Sequence, residues 1–83
     1  MKDTKEKQKL RKLVYDAFRS LMQNQYGKTP NEIEAILNNP KTFADAYLCE
    51  TVSYYYVWNC EPTQYDVEQR IKNLIEHSLV YLD

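Results

Sequence analysis

The sequence predicts an all-α protein: a small up-and-down bundle of three long helices and one short one, in a single domain spanning residues 1–83. Three observations predict it. Apolar side chains recur three and four residues apart over most of the chain, which is the spacing of amphipathic helices. Two helix-start signatures, Thr29 with Glu32 and Thr63 with Asp66, place a hydroxyl three residues before a carboxylate, as a capping box requires. The only glycine, Gly27, and the prolines Pro30, Pro40 and Pro62 fall at the edges of the periodic segments rather than inside them.

The first helix is expected over residues 4–26, with Leu10, Leu13, Val14, Ala17, Phe18, Leu21 and Met22 forming its apolar stripe and residues 1–4 frayed. Gly27 follows directly, where a left-handed residue ends a helix without steric cost. Thr29 then caps a short second helix from Pro30 to about Asn38, which buries Ile33, Ile36 and Leu37 and is closed by Pro40. A third helix starts at Asn39-Pro40, or at Thr42 with Asp45 as its partner three residues on, and is expected to reach Asn59. Ala44, Tyr47, Leu48, Thr51, Tyr55 and Trp58 gather on one side of it, yet Ala46, Cys49, Val52, Tyr54, Tyr56 and Val57 spread over the rest. A helix apolar nearly all round is buried on several sides or completed by a partner.

Residues 51–58 (TVSYYYVW) also carry strand-favouring side chains. The only segment available to pair with them is Ser78 to Leu82, and a lone two-stranded hairpin is marginal, so the helical reading is preferred. After Pro62, a last helix is expected to run from Thr63 to about Leu82, with Val67, Ile71, Leu74, Ile75, Ser78 and Leu82 inward. Glu68, Gln69, Lys72, Asn73 and Glu76 form its outer face.

Catalytic and metal-binding groupings are missing from the sequence. His77 is the sole histidine, and its place near a helix end reads as a solvated side chain. Cys49, Cys60 and His77 match no zinc-ligand spacing. The pairs Glu32/Glu34 and Asp66/Glu68 lie two residues apart, so on a helix their carboxylates diverge and cannot share a proton. On one helix, Cys49 and Cys60 would stand about 16 Å apart, beyond the ~7 Å a disulfide allows. No enzyme, cofactor or metal is therefore expected. Two free thiols, no apolar run of membrane-spanning length and no apolar segment behind the Lys-rich start imply a cytoplasmic protein.

Charge and tyrosine carry what functional signal there is. The first 19 residues hold seven basic and three acidic side chains, whereas the remaining 64 hold four and nine. Lys5, Lys9, Lys12 and Arg19 share one helical stripe, a candidate contact for nucleic-acid phosphates or an acidic partner. Glu6 and Asp16 interrupt it, and the slight overall acidity (pI ≈ 5.8) disfavours a dedicated nucleic-acid binder. Eight residues are tyrosine against two phenylalanines, and Tyr54, Tyr55 and Tyr56 are consecutive. Turning by about 100° each, those three cannot all face one core. At least one, with Tyr56 beside Cys49 the first choice, is expected at the surface or in a second interface, where aromatic rings with a polar handle are favoured.

The function expected from these features is protein binding. The chain would be a module that inhibits or regulates another protein through Tyr54, Tyr56 and Val57 on the third helix and Glu68 and Glu76 on the last. Residues with AT-rich codons (Phe, Tyr, Met, Ile, Asn, Lys) number 30 against 11 with GC-rich codons (Gly, Ala, Arg, Pro). That skew suggests a low-GC bacterium, or a phage or other mobile element within one, where a host-defence inhibitor is one such role. The alternatives are a nucleic-acid-binding accessory protein using the basic first helix, and a structural homo-oligomer, with a homodimer its simplest form.

Overall fold

In the computed structural model, which describes residues 4–82, the chain forms four α-helices and one 3-10 turn: α1 (Thr4–Gln25), α2 (Pro30–Asn38), the turn Pro40–Thr42, α3 (Ala44–Val57) and α4 (Gln64–Glu76). The expected all-α fold is present, and no strand occurs among the described residues. Residues 51–57 are helical, so the β-branched and aromatic run is overridden by packing against α1. Of the frayed start expected at residues 1–4, the first three lie outside the described residues, and Thr4 already opens α1.

α1 is the central helix, and α3 and α4 both pack along it. Contacts fix the directions. Tyr15 meets Asp45 and Cys49, while Lys7 lies over Tyr56, so α3 runs antiparallel to α1. Glu76, at the end of α4, acts on Tyr26 just past the end of α1, so α4 runs back alongside α1. The long helices therefore alternate up, down, up, and α2 bridges one end, tied to α1 by the Arg19–Glu34 ion pair. The core gathers Val14, Phe18, Leu21 and Met22 from α1, Ile33 and Ile36 from α2, Leu48, Val52 and Tyr55 from α3, and Val67 and Ile71 from α4.

Both capping boxes are made. Thr29 Oγ1 accepts from the Glu32 amide at 3.2 Å while the Glu32 carboxylate accepts from the Thr29 amide at 2.8 Å. Thr63 and Asp66 do the same at 3.2 and 3.1 Å. Each such cap stabilises its helix by about 1 kcal/mol. Bonding to the Thr29 backbone holds the Glu32 carboxyl below its ordinary value.

Three expectations need correction. The third helix does not start from a Thr42–Asp45 box. Asp45 instead accepts the Tyr15 phenol at 2.7 Å, and Phe43 takes a left-handed conformation (φ 62°) that turns the chain from the 3-10 segment into α3. α3 stops at Val57 rather than Asn59, because Asn59 is left-handed (φ 53°). The Cys60 and Asn59 amides then donate back to Tyr55 and Tyr56, at 2.9 and 3.1 Å. α4 stops at Glu76 rather than Leu82 by the same device. Ser78 is left-handed (φ 61°), the Leu79 amide donates to Leu74 at 2.9 Å and the Ser78 amide to Ile75 at 3.0 Å. These are Schellman closures built on asparagine and serine instead of glycine. Gly27, at φ 63°, ends α1 as expected.

Because α4 ends early, Ser78 is exposed rather than inward, and the tail doubles back across the bundle. Val80 is buried, and the Tyr81 amide donates to the Thr42 carbonyl at 2.9 Å. Thr42 thereby joins four segments. Its buried hydroxyl reaches the carbonyls of Ile36 and Asn39 at 2.7 and 2.8 Å and accepts from the Ala44 amide at 3.3 Å.

Candidate functional site: the C-terminal end of the third helix

The three consecutive tyrosines part as helical geometry demands. Tyr55 points into the core and is 8% exposed; burial raises its phenol above the ordinary value. Tyr56 is half-buried on the α1 side, with the Lys7 ammonium 5.6 Å from its ring centre. Tyr54 is the outward member, 44% exposed, and turns toward α4. Tyr56, the first choice for the surface or a second interface, lies at the α1–α3 seam on the same side as Cys49, and Tyr54 is the most exposed of the three.

Arg70 of α4 accounts for the pose of Tyr54. Its guanidinium lies 4.7 Å from the Tyr54 ring centre, a stacking contact, and its Nε donates to Thr51 Oγ1 at 3.4 Å. Thr51 is itself buried and donates to the Tyr47 carbonyl at 2.8 Å. The ring is therefore held by a cation on one side and by Tyr55, 5.6 Å away edge-on, along the helix. Such cation–aromatic contacts contribute ~0.5–1 kcal/mol at exposed sites.

Beyond Tyr54 the surface is apolar and open. Val57 is 73% exposed and Trp58 68% exposed, and the Trp58 ring centre lies 6.5 Å from that of Tyr54. Trp58, assigned from the wheel to the core side, is a surface residue. It caps α3 at the point where the chain turns away, and the core closes without it. Spacings of three and four residues put Tyr54, Val57 and Trp58 on one patch, continued up the helix by exposed Ser53 and Glu50.

Next to the patch, a groove of about 590 Å³ runs between the first half of α1 and the α3–α4 connection. Leu10, Leu13, Tyr55 and Pro62 supply its apolar lining, with Lys9, Lys12 and Tyr56 also bordering it. Two separate sequence candidates, the third-helix tyrosines and part of the basic stripe, thus meet at one end of the bundle. Comparison with family models, curated proteins and solved structures finds no match.

Other expected site residues lie elsewhere. Lys12 pairs with Asp16 at 3.1 Å, and Arg19 pairs with Asp16 at 3.8 Å and with Glu34 at 3.2 Å. Half of the basic stripe is thereby neutralised, which leaves exposed Lys5 and Lys9 without ion pairs among the described residues. Glu68 accepts from Gln64 at 2.7 Å. It stands two residues before Arg70, which places it almost opposite on the helix, away from α3. Glu76 sits at the other end of the bundle, beside Tyr26. Neither acid joins the third-helix patch.

Sequence reasoning also missed a polar cluster in the α1–α3 seam. The Tyr15 phenol lies 2.7 Å from Asp45 Oδ1 and 3.2 Å from Cys49 Sγ, and Arg11 approaches the same sulfur at 3.9 Å. Burial, then the bonds to Asp45 and Cys49, push the Tyr15 phenol far above its ordinary value. Tyr15 stands beside the apolar stripe read from the first helix, and its spacing gave no signal for this pairing. Among the described residues no group of three or more His, Cys, Asp and Glu side chains gathers, and no helix is long and apolar enough to cross a membrane. His77 caps α4 from an exposed position, its Nδ1 2.7 Å from the Asn73 carbonyl.

Proposed function

We propose that the protein is a protein-binding module, acting as an inhibitor or regulator of its partner through the Tyr54–Val57–Trp58 patch. The observation that carries this reading is the exposure of Val57 and Trp58 at 73% and 68% beside Tyr54, while the core is complete without all three. Neighbouring large apolar side chains left in water mark interaction surfaces more than isolated ones do. Tryptophan and tyrosine are also the residues that most often dominate binding energy. The nucleic-acid alternative draws less support, because Lys12 and Arg19 are already engaged by Asp16 and Glu34.

A photo-crosslinking amino acid placed at Val57 tests the reading in living cells. Placed instead at Gln23, exposed on α1, it serves as the control. The Val57 position should give discrete protein adducts that the Gln23 position does not. An adduct of twice the chain mass identifies a second copy as the partner, and a heavier one identifies another protein. Equal labelling from both positions, or adducts to nucleic acid alone, would overturn the proposal.

A further inference from the structure

We infer that the partner segment docking on this patch is cationic: an apolar anchor flanked by lysine or arginine. The inference rests on the protein-binding reading and names the chemistry of its partner. From Phe43 to Gln69 the chain carries five acidic residues, Asp45, Glu50, Glu61, Asp66 and Glu68, and no basic residue. The patch lies in the middle of that stretch.

The five carboxylates differ in availability. Asp45 is bonded to Tyr15, Asp66 is bound up in its capping box, and Glu68 is engaged by Gln64 on the flank of α4 facing away from α3. Glu50 and Glu61 remain, both exposed and without an ion pair among the described residues. Glu50 lies one turn before Tyr54 and two turns before Val57, on the same outward stripe. Glu61 follows Trp58 by three residues. The apolar patch thus has a carboxylate without an ion pair at each end.

No cation forms an ion pair with either among the described residues: Lys9 and Lys12 border the groove that Glu61 also lines, on its α1 side, and Lys12 is held by Asp16. Arg70 is half-buried with its guanidinium laid on the Tyr54 ring, and Lys7 is laid over Tyr56 on the α1 side. Both flank the outward stripe rather than crown it. Within a Debye length of ~8–10 Å the two free carboxylates act on anything seated on Val57 and Trp58. A polyanion is repelled there, whereas Lys or Arg bracketing an apolar anchor is steered in and held.

Trp58 is the only tryptophan in the chain, so its emission reports directly on the patch. Two probe peptides are titrated into the full chain. Both carry leucines at helical i, i+3, i+4 and i+7 spacing and lack aromatic residues; one has lysine and the other glutamate at every remaining position. The lysine peptide should shift Trp58 emission saturably, with an affinity that weakens as salt rises, and the glutamate peptide should leave it unmoved. Replacing Glu50→Gln and Glu61→Gln together should weaken lysine-peptide binding by roughly three- to tenfold, as expected for two partly screened charge contacts. Glu76→Gln, at the far end of α4, should leave it unchanged. Equal response to both peptides would overturn the cationic assignment while leaving apolar docking at the patch intact. No response to either peptide would overturn both. Weakening by Glu76→Gln as large as that from the paired substitution would show diffuse attraction and overturn the assignment.

Discussion

Replacing Thr42 by valine keeps the side chain's shape and removes only its hydroxyl, so it isolates the side-chain hydrogen bonds that join α2, the 3-10 turn and α3, and leaves the backbone bond from Tyr81 in place. The Ile36 carbonyl retains the Asn39 amide at 3.3 Å, and the Asn39 carbonyl retains the Thr42 amide at 3.1 Å. The Ala44 amide is different. Its hydrogen bond to Thr42 Oγ1 is buried, and valine supplies no acceptor. Losing a hydrogen bond costs ~1 kcal/mol and stranding a buried donor adds ~1–2 kcal/mol. The extra methyl offsets roughly 0.8 kcal/mol at most, so a loss of about 2 kcal/mol is expected. Thr42→Ser makes the opposite deletion, keeping the hydroxyl and removing a buried methyl for about 1 kcal/mol. Urea unfolding followed by far-ultraviolet circular dichroism ranks the two, provided the slope with denaturant stays constant. Wild type should be most stable, Thr42→Ser next and Thr42→Val least. If Thr42→Val matches or exceeds Thr42→Ser, the hydroxyl is not the join described above, and methyl packing governs the site.

Ser78 pays the steric penalty of a left-handed residue to end α4; Ser78→Gly should therefore gain up to about 1 kcal/mol in thermal or urea unfolding, and Ser78→Val should lose about 1–2 kcal/mol. Equal effects of the two would contradict the Schellman closure. The Tyr15 phenol titrates above its ordinary value in the folded chain, so the folded state holds that proton more tightly than the unfolded state. Its contribution is complete below pH ~10 and is lost as pH rises beyond that. Stability measured between neutral and strongly alkaline pH should fall less steeply in Tyr15→Phe than in wild type, with Tyr26 and Tyr55 supplying the remaining slope. Parallel alkaline limbs would refute a special role for the Tyr15–Asp45–Cys49 cluster.

Where helix boundaries are set by residue types with one dominant use, the sequence announces them. Thr29-Pro30-Asn31-Glu32, Thr63 with Asp66, and Gly27 each do in the structure what their local chemistry favours. Boundaries set by tertiary contacts are hidden. Asn59, Ser78 and Phe43 are left-handed because the chain must turn there, and serine and phenylalanine advertise no such preference. Asp45 carries a capping signature with Thr42, but the Tyr15 phenol across the seam outcompetes the local amide. The same holds at the patch. Helical spacing shows that three consecutive tyrosines must diverge, but not which one is outward, since that depends on where α1 and the Arg70 guanidinium lie.

The all-round apolar character of α3 resolves into two separable parts. One part is structural: Ala44, Leu48, Val52 and Tyr55 are buried, and truncating the larger of them would open a cavity in the one core cluster among the described residues. The other part, Val57 and Trp58, lies outside that core and makes no contribution to closing it. For an 83-residue chain, whose burial is limited by its size, leaving its one tryptophan in water is a forfeited gain of ~2 kcal/mol or more. Folding does not account for that placement. The proposed interface would, because the same ring buried against a partner recovers the forfeited term at the moment of binding. This division also makes the patch testable: substitutions at Val57 or Trp58 spare the buried core, so an unfolding curve measured beside the binding assay separates lost recognition from lost stability.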